Sequence, residues 1–213
     1  MKGVPLNEAL YDYIVNTFVQ EDELLKQIPR DAERKNIPLI QVSPENGKFL
    51  FMLIKMIRAK YVLEIGTLTG YSSIWMARAL PEDGKLITIE ISPEHAAEAR
   101  KNFSKSGLEN KITLMEGRAA DIISSLNDRK FDFVFIDADK ENTINYYDAV
   151  FDMVNIGGII ATDNTLREGK VIEVNPDPGT RAINAYNRKV ANDSRVISLL
   201  IPISDGLTIS LKL

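Results

Sequence analysis

Two short stretches place hard oxygen donors at the ends of apolar runs. FVFIDADKEN, residues 133–142, passes from an apolar segment into Asp137, Asp139, Lys140 and Glu141. GGIIATDN, residues 157–164, ends in Asp163 and Asn164. If the two runs are neighbouring strands, Asp137, Asp163 and Asn164 converge. Two carboxylates and an amide oxygen suit Mg²⁺, Mn²⁺ or Ca²⁺ rather than zinc. Such an ion has about six positions, so roughly three stay open for water or substrate oxygens. Two adjacent hydroxyls of an aromatic ring fit two of them, and the charge favours loss of a phenolic proton. Lys140 lies one helical turn past Asp137 and can face the same space as general base. Taken singly, each acid or the asparagine could cap a helix; it is their placement on two strand ends that points to chemistry.

A second group surrounds LEIGTLTGYSS, residues 63–73. Gly66 and Gly70 are separated by three residues, and Leu68 stands where a dinucleotide fingerprint requires its second glycine. That argues against hydride transfer. Glu64 is placed to reach an amino group. Glu90, at the end of the next apolar run, can accept both hydroxyls of a ribose. A ligand with an amino acid at one end and a ribose at the other is S-adenosylmethionine. Methyl transfer from its sulfonium is direct displacement, for which a protein aligns the partners and excludes water. His95 is the only histidine. It falls on an expected helix away from the strand ends, so it reads as surface and not as the base of a serine hydrolase. Trp75 and Met76 read as core.

The elements that position these residues follow from periodicity. Apolar runs at 61–66, 85–91, 111–116, 131–137 and 157–163 alternate with helical patterns at 71–80, 93–106, 118–126, 142–154 and 180–192. Strict alternation predicts a parallel sheet covered on both faces. Runs at 195–203 and 206–213 lie two residues apart, which favours an antiparallel pair at one edge. Ser43-Pro44-Glu45 and Ser92-Pro93-Glu94 start helices. The first of these, over 44–58, is apolar on most sides and should be buried. Leu6, Leu10, Tyr13, Ile14 and Phe18 mark the apolar face of an earlier helix. Residues 168–179 lack a period and contain Pro176, Pro178 and Gly179, which predicts a loop over the site. The expected architecture is a single α/β domain over 1–213. A helical part, 1–58, precedes a core, 59–213, with seven strands, mostly parallel.

Bulk properties narrow the class. Apolar residues make up 45% and charged residues 26%, as in globular proteins. The longest apolar run, Phe49 to Ile54, is far too short to span a bilayer. Charges throughout residues 1–30 give no secretory signal, and the expected location is cytoplasmic. The absence of cysteine excludes disulfides, thiolate zinc sites and a cysteine nucleophile. A net charge of −4 does not suggest a nucleic-acid binder, although Arg181, Arg188, Lys189 and Arg195 could form a local patch.

With LEIGTLTGYSS, ALPEDGK, GLENKI, FIDADKEN and ATDNTL in this order and spacing, the chain resembles the cation-dependent O-methyltransferases of the caffeoyl-CoA and catechol type. The similarity looks closest to bacterial members and runs from about Leu10 to 205–210. It implies a Rossmann-like class I methyltransferase fold and a homodimer. It implies S-adenosylmethionine contacts at Val42, Glu64, Gly66, Thr67, Ser72, Glu90, Ala119 and Asp137. Glu64 and Ser72 would hold the methionine part, Glu90 the ribose and Ala119 the adenine. Asp137, Asp163 and Asn164 match the family's ligands for Mg²⁺ (or Mn²⁺/Ca²⁺), and Lys140 its general base. Two departures stand out. Plant members continue after DNTL with Trp and Asn, where this chain has Arg167 and Glu168. Catechol enzymes have Trp before the lysine, where this chain has Asp139. The expected reaction is methylation of a catechol-like or caffeoyl-type small phenol. The alternative acceptor is a hydroxyuridine of transfer RNA. A cofactor-binding protein without activity fits poorly with the set Asp137, Lys140, Asp163 and Asn164.

Overall fold

A computed structural model describes residues 6–213. Seven strands form one sheet: β1 (Tyr61–Ile65), β2 (Lys85–Glu90), β3 (Ile112–Glu116), β4 (Phe131–Ile136), β5 (Val154–Asp163), β6 (Val196–Ile201) and β7 (Leu207–Lys212). Their spatial order is β3-β2-β1-β4-β5-β7-β6. Strands β1 to β5 are parallel. β7 runs antiparallel to both β5 and β6, so the reversed strand of the expected antiparallel edge is the second from the outside. β1 pairs with β2 on one side and β4 on the other. Strand order reverses there, which opens a crevice beyond the carboxyl ends.

The alternation of side chains builds two cores. Val62, Phe133 and Phe135 point to one face, where α2 (Glu23–Arg34), α3 (Pro44–Ile57), α4 (Tyr71–Ala79) and α5 (Pro93–Ser106) cover them with Leu25, Ile54, Trp75 and Phe103. Leu63, Val134 and Ile136 point to the other, under α6 (Ala119–Ser125), α7 (Thr143–Phe151) and α8 (Pro178–Asn192) with Ile123, Tyr147 and Tyr186. Trp75 and Met76 are buried, as core residues should be.

The first section is helical, as expected, and forms two helices; the apolar face of α1 (Glu8–Phe18) buries none of its residues, and Leu10, Tyr13 and Phe18 remain exposed. Helical spacing of apolar residues fixes a face but not what covers it. α3 is buried along one face only, since Met52 and Met56 stand in solvent. β5 begins at Val154, earlier than expected, because a register irregularity opposite Phe131/Phe133 absorbs the residues around Gly157 and Gly158. Among the described residues no helix is long and apolar enough to cross a membrane.

Candidate active site

A cavity of about 770 Å³ opens at the carboxyl ends of β1, β2, β4 and β5, within the usual range of small-molecule sites. Val42, Gly66, Thr67, Ser72, Glu90, Ala119 and Asp137 all line it. Lys140, Asn164 and Arg167 line its other end.

The loop after β1 shapes the first end. Gly66 has φ 100°, and a Cβ there would run into the Asp137 carbonyl oxygen. Gly70 has φ 85° and packs against the Phe103 ring. Between them Leu68 is also left-handed, at φ 48°, which is unfavourable for leucine. Glu90 fixes this turn. Its Oε2 accepts from Leu68 N at 2.8 Å and Thr67 N at 3.2 Å, and its Oε1 accepts from Ser92 N at 2.9 Å. A carboxylate offers about four lone-pair sites, so three backbone donors leave Glu90 roughly one for a ligand. Glu90 is therefore first a brace for the loop. His95 also belongs here, not on the open surface. Its Nδ1 lies 3.6 Å from Glu90 Oε1 and the ring lines the cavity. The Ser92 cap, which accepts from His95 N at 3.3 Å, turns the first turn of α5 back over the end of β2.

Glu64 does not reach the cavity wall. It is fully buried beneath it and accepts hydrogen bonds from Ser72 Oγ and Thr88 Oγ1, both at 2.6 Å, and from Ser73 Oγ. Burial pushes its carboxyl up to about 7 despite these three donors. Of this group Ser72 lines the cavity, and Glu64 stands behind it.

The second end rests on adjacent strands. Ile136 pairs with Thr162, which sets Asp137 against Asp163. Asp163 is buried just behind the wall and accepts from Asn46 Nδ2 at 3.0 Å. Burial, then the charge of Asp137, pushes the Asp163 carboxyl up. Lys140 Nζ donates to Asp137 Oδ1 at 2.8 Å. Asn164, left-handed at φ 56°, turns into the wall. Among the described residues no group of three or more His, Cys, Asp or Glu gathers for a metal. The donor set here is two acids and an amide. Two mutually repelling carboxylates beside one ammonium leave excess negative charge among hard oxygen donors, and that fits a divalent cation of the Mg²⁺ type. Asp139 is not part of this set, because it accepts from Tyr146 Oη and Asn142 Nδ2.

Sequence reasoning missed Asn46 and His95. Asn46 stands in the polar first turn of α3, between Glu45 and Lys48, where nothing local sets it apart. The expected loop over the site is mostly elsewhere. From 168–179 Glu168 lines the cavity, while Val171 O accepts from Asn184 and Asp177 caps α8. The basic patch is largely engaged. Lys189 pairs with Asp148 at 2.7 Å and Arg195 with Asp193 at 2.6 Å. Arg181 donates to Pro176 O, and Arg188 to Asn184 Oδ1.

Comparison with known proteins shows what the chain is similar to. Residues 15–213 match the family model for O-methyltransferases. A catechol O-methyltransferase of Niastella koreensis is 37% identical, covering 91% of this chain and 90% of its own. A caffeoyl-CoA O-methyltransferase of Medicago sativa is 35% identical, covering 98% and 90%. The crystal structure of an O-methyltransferase from Bacillus cereus in complex with SAH superposes with a TM-score of 0.90 at 32% identity, covering 96% and 97%.

Proposed function

The chain belongs to the O-methyltransferase family, and from that premise we propose that it moves the methyl group of S-adenosylmethionine to a hydroxyl of a catechol-like phenol, with a divalent cation at Asp137, Asp163 and Asn164. One observation carries the reading. The paired ends of β4 and β5 place Asp137 against Asp163, with Lys140 on Asp137, beside the cavity that Gly66, Ser72 and Glu90 also border. SAH, bound by the Bacillus cereus relative, is what S-adenosylmethionine becomes on losing its methyl group. Relatives named for catechol and for caffeoyl-CoA support a phenolic acceptor.

When bound, S-adenosylmethionine supplies an electrophilic methyl and a divalent ion supplies charge that favours the ionised phenol. Asp137, Asp163 and Asn164 would hold that ion, and Asn46 keeps the Asp163 carboxylate in one orientation. Lys140, an ammonium while it is paired with Asp137, would act as base only in its neutral form: after losing that proton to solvent it would take the phenolic proton on Nζ, and Asp137, 2.8 Å away, would stabilise the ammonium that re-forms. Ser72, backed by Glu64, meets the amino-acid end of the donor. The remaining acceptor capacity of Glu90 meets the ribose. Gly66 lets the donor approach the backbone.

The test is a panel of acceptors assayed with Mg²⁺ and labelled S-adenosylmethionine: monophenols, catechols, caffeoyl-CoA and transfer RNA. Catechols accept methyl groups and RNA does not. Label in RNA, with none in any phenol, contradicts the reading.

A further inference from the structure

We infer that Arg167 makes the acceptor end a carboxylate subsite, so that the preferred acceptor is a catechol bearing a free carboxylate; this rests on the catechol reading above. Arg167 lines the cavity on the wall that carries Lys140 and Asn164. Among the described residues it forms no ion pair, and its Nε is shielded from solvent without an acceptor. A shielded N–H of a charged group left without a partner is costly, and native structures rarely keep one without use.

The neighbouring lysines are already paired, and the neighbouring acids already have donors. Lys140 holds Asp137 at 2.8 Å, and Lys170 holds Glu168 at 2.7 Å. Asp139 accepts from Tyr146 and Asn142, and Asp205 accepts from Glu168 N. Arg167 feels the charges of Glu168 and Asp177 but donates to neither, so it is the cation of this wall with hydrogen-bond donors still to offer. A guanidinium fork matches a planar carboxylate through two parallel hydrogen bonds.

The backbone supports a built device. Arg167 (φ 52°) and Glu168 (φ 55°) are both left-handed, followed by Gly169 at 80°. Non-glycine residues in this region are strained, and such strain persists where surrounding structure imposes it. Here the turn is tied to the connection between β6 and β7. Thr165 N donates to Gly206 O at 3.0 Å and Leu166 N to Asp205 O at 2.8 Å. The guanidinium is thus carried by a pinned turn and not by a floppy loop. Asp139, Glu168 and Asp205 also border this end, which favours a singly charged carboxylate over a phosphate of higher charge.

The experiment compares protocatechuate and caffeate with their methyl esters as acceptors, with Mg²⁺ and saturating S-adenosylmethionine. It uses the native chain, Arg167→Gln and Arg167→Lys. In the native chain each acid should exceed its ester in kcat/KM by about tenfold or more, as a charge-assisted pair implies. Arg167→Gln should bring that ratio close to one through a higher KM for the acid. Arg167→Lys should keep part of the preference, since charge remains without the fork. Equal use of acid and ester by the native chain overturns the inference while leaving the catechol reading intact. So does an undiminished preference in Arg167→Gln. Failure of every catechol and ester to accept a methyl group overturns both.

Discussion

At the donor end of the cavity the carboxylates are surrounded by donors from their own chain, whereas at the acceptor end Asp137 and Asp163 face each other and the Arg167 Nε has no acceptor. Glu90 takes three backbone N–H groups and Glu64 three hydroxyls. These groups stay satisfied whether or not a ligand is present, which keeps the Leu68 turn in place. Asp163 has Asn46 and a repelling neighbour. Buried polar groups need partners, so the acceptor end is electrostatically incomplete by itself. The contrast separates a preformed donor site from an end whose groups are finished by what binds there.

The largest break in that contrast is Asp163→Ala. Turnover should fall by roughly 10³-fold, since a Lewis-acid charge contributes several kcal/mol to such a reaction. Affinity for SAH, measured by calorimetry, should stay within about threefold, because Asp163 stands apart from the donor end. Equal losses in both would merge the two ends into one unit. Lys140→Met comes next, with kcat lower by about 10²-fold and little change in donor affinity, as for loss of a general base. A pH–rate profile unchanged by this substitution removes Lys140 from the proton transfer.

Gly66→Ala attacks the donor end in turn. Its Cβ would meet the Asp137 carbonyl, and φ 100° is strained for alanine. SAH affinity should drop by about tenfold, the equivalent of roughly 1.4 kcal/mol. Native affinity would show that the backbone there yields easily.

The smallest effect is on stability. Burial raises the Glu64 carboxyl from 4.5 to about 7. Between these values the folded chain holds a proton that the unfolded chain has released. The contribution of Glu64 is therefore full below pH 4.5 and is lost as pH rises through 7. Without donor and with EDTA present, Tm should be lower at pH 8 than at pH 6 by ~3 °C from this source, the size expected for about 1 kcal/mol in a domain of this length. Glu64→Gln should flatten that difference in a calorimetric scan. A slope that survives the substitution assigns it elsewhere, with Asp163, shifted in the same direction, as the first candidate.

The strands were legible because buried parallel strands read as apolar runs, and their ends located Asp137, Asp163 and Glu90. The donor loop was legible because Gly66 and Gly70 mark positive φ. What a helix face packs against is a tertiary fact, so the exposure of Leu10, Tyr13 and Phe18 was not readable from spacing. His95 was misplaced for a similar reason: the helix start at Ser92 was readable, but the packing of that first turn against Glu90 at the end of β2 is a tertiary fact. Asn46 pairs across more than a hundred residues with Asp163, and no local pattern announces that. Arg167 was visible as a departure from related sequences. That its Nε lacks an acceptor appears only once its neighbours are in place.

The central claim is that three oxygen-bearing side chains hold a divalent ion next to the methyl donor. The direct measurement is the initial rate of methyl transfer from S-adenosylmethionine to protocatechuate, before chelation with EDTA, after it, and after Mg²⁺ is returned in excess. The account predicts a rate that vanishes on chelation and recovers with Mg²⁺ in the native chain, with no recovery in Asp163→Ala. A rate indifferent to EDTA contradicts it.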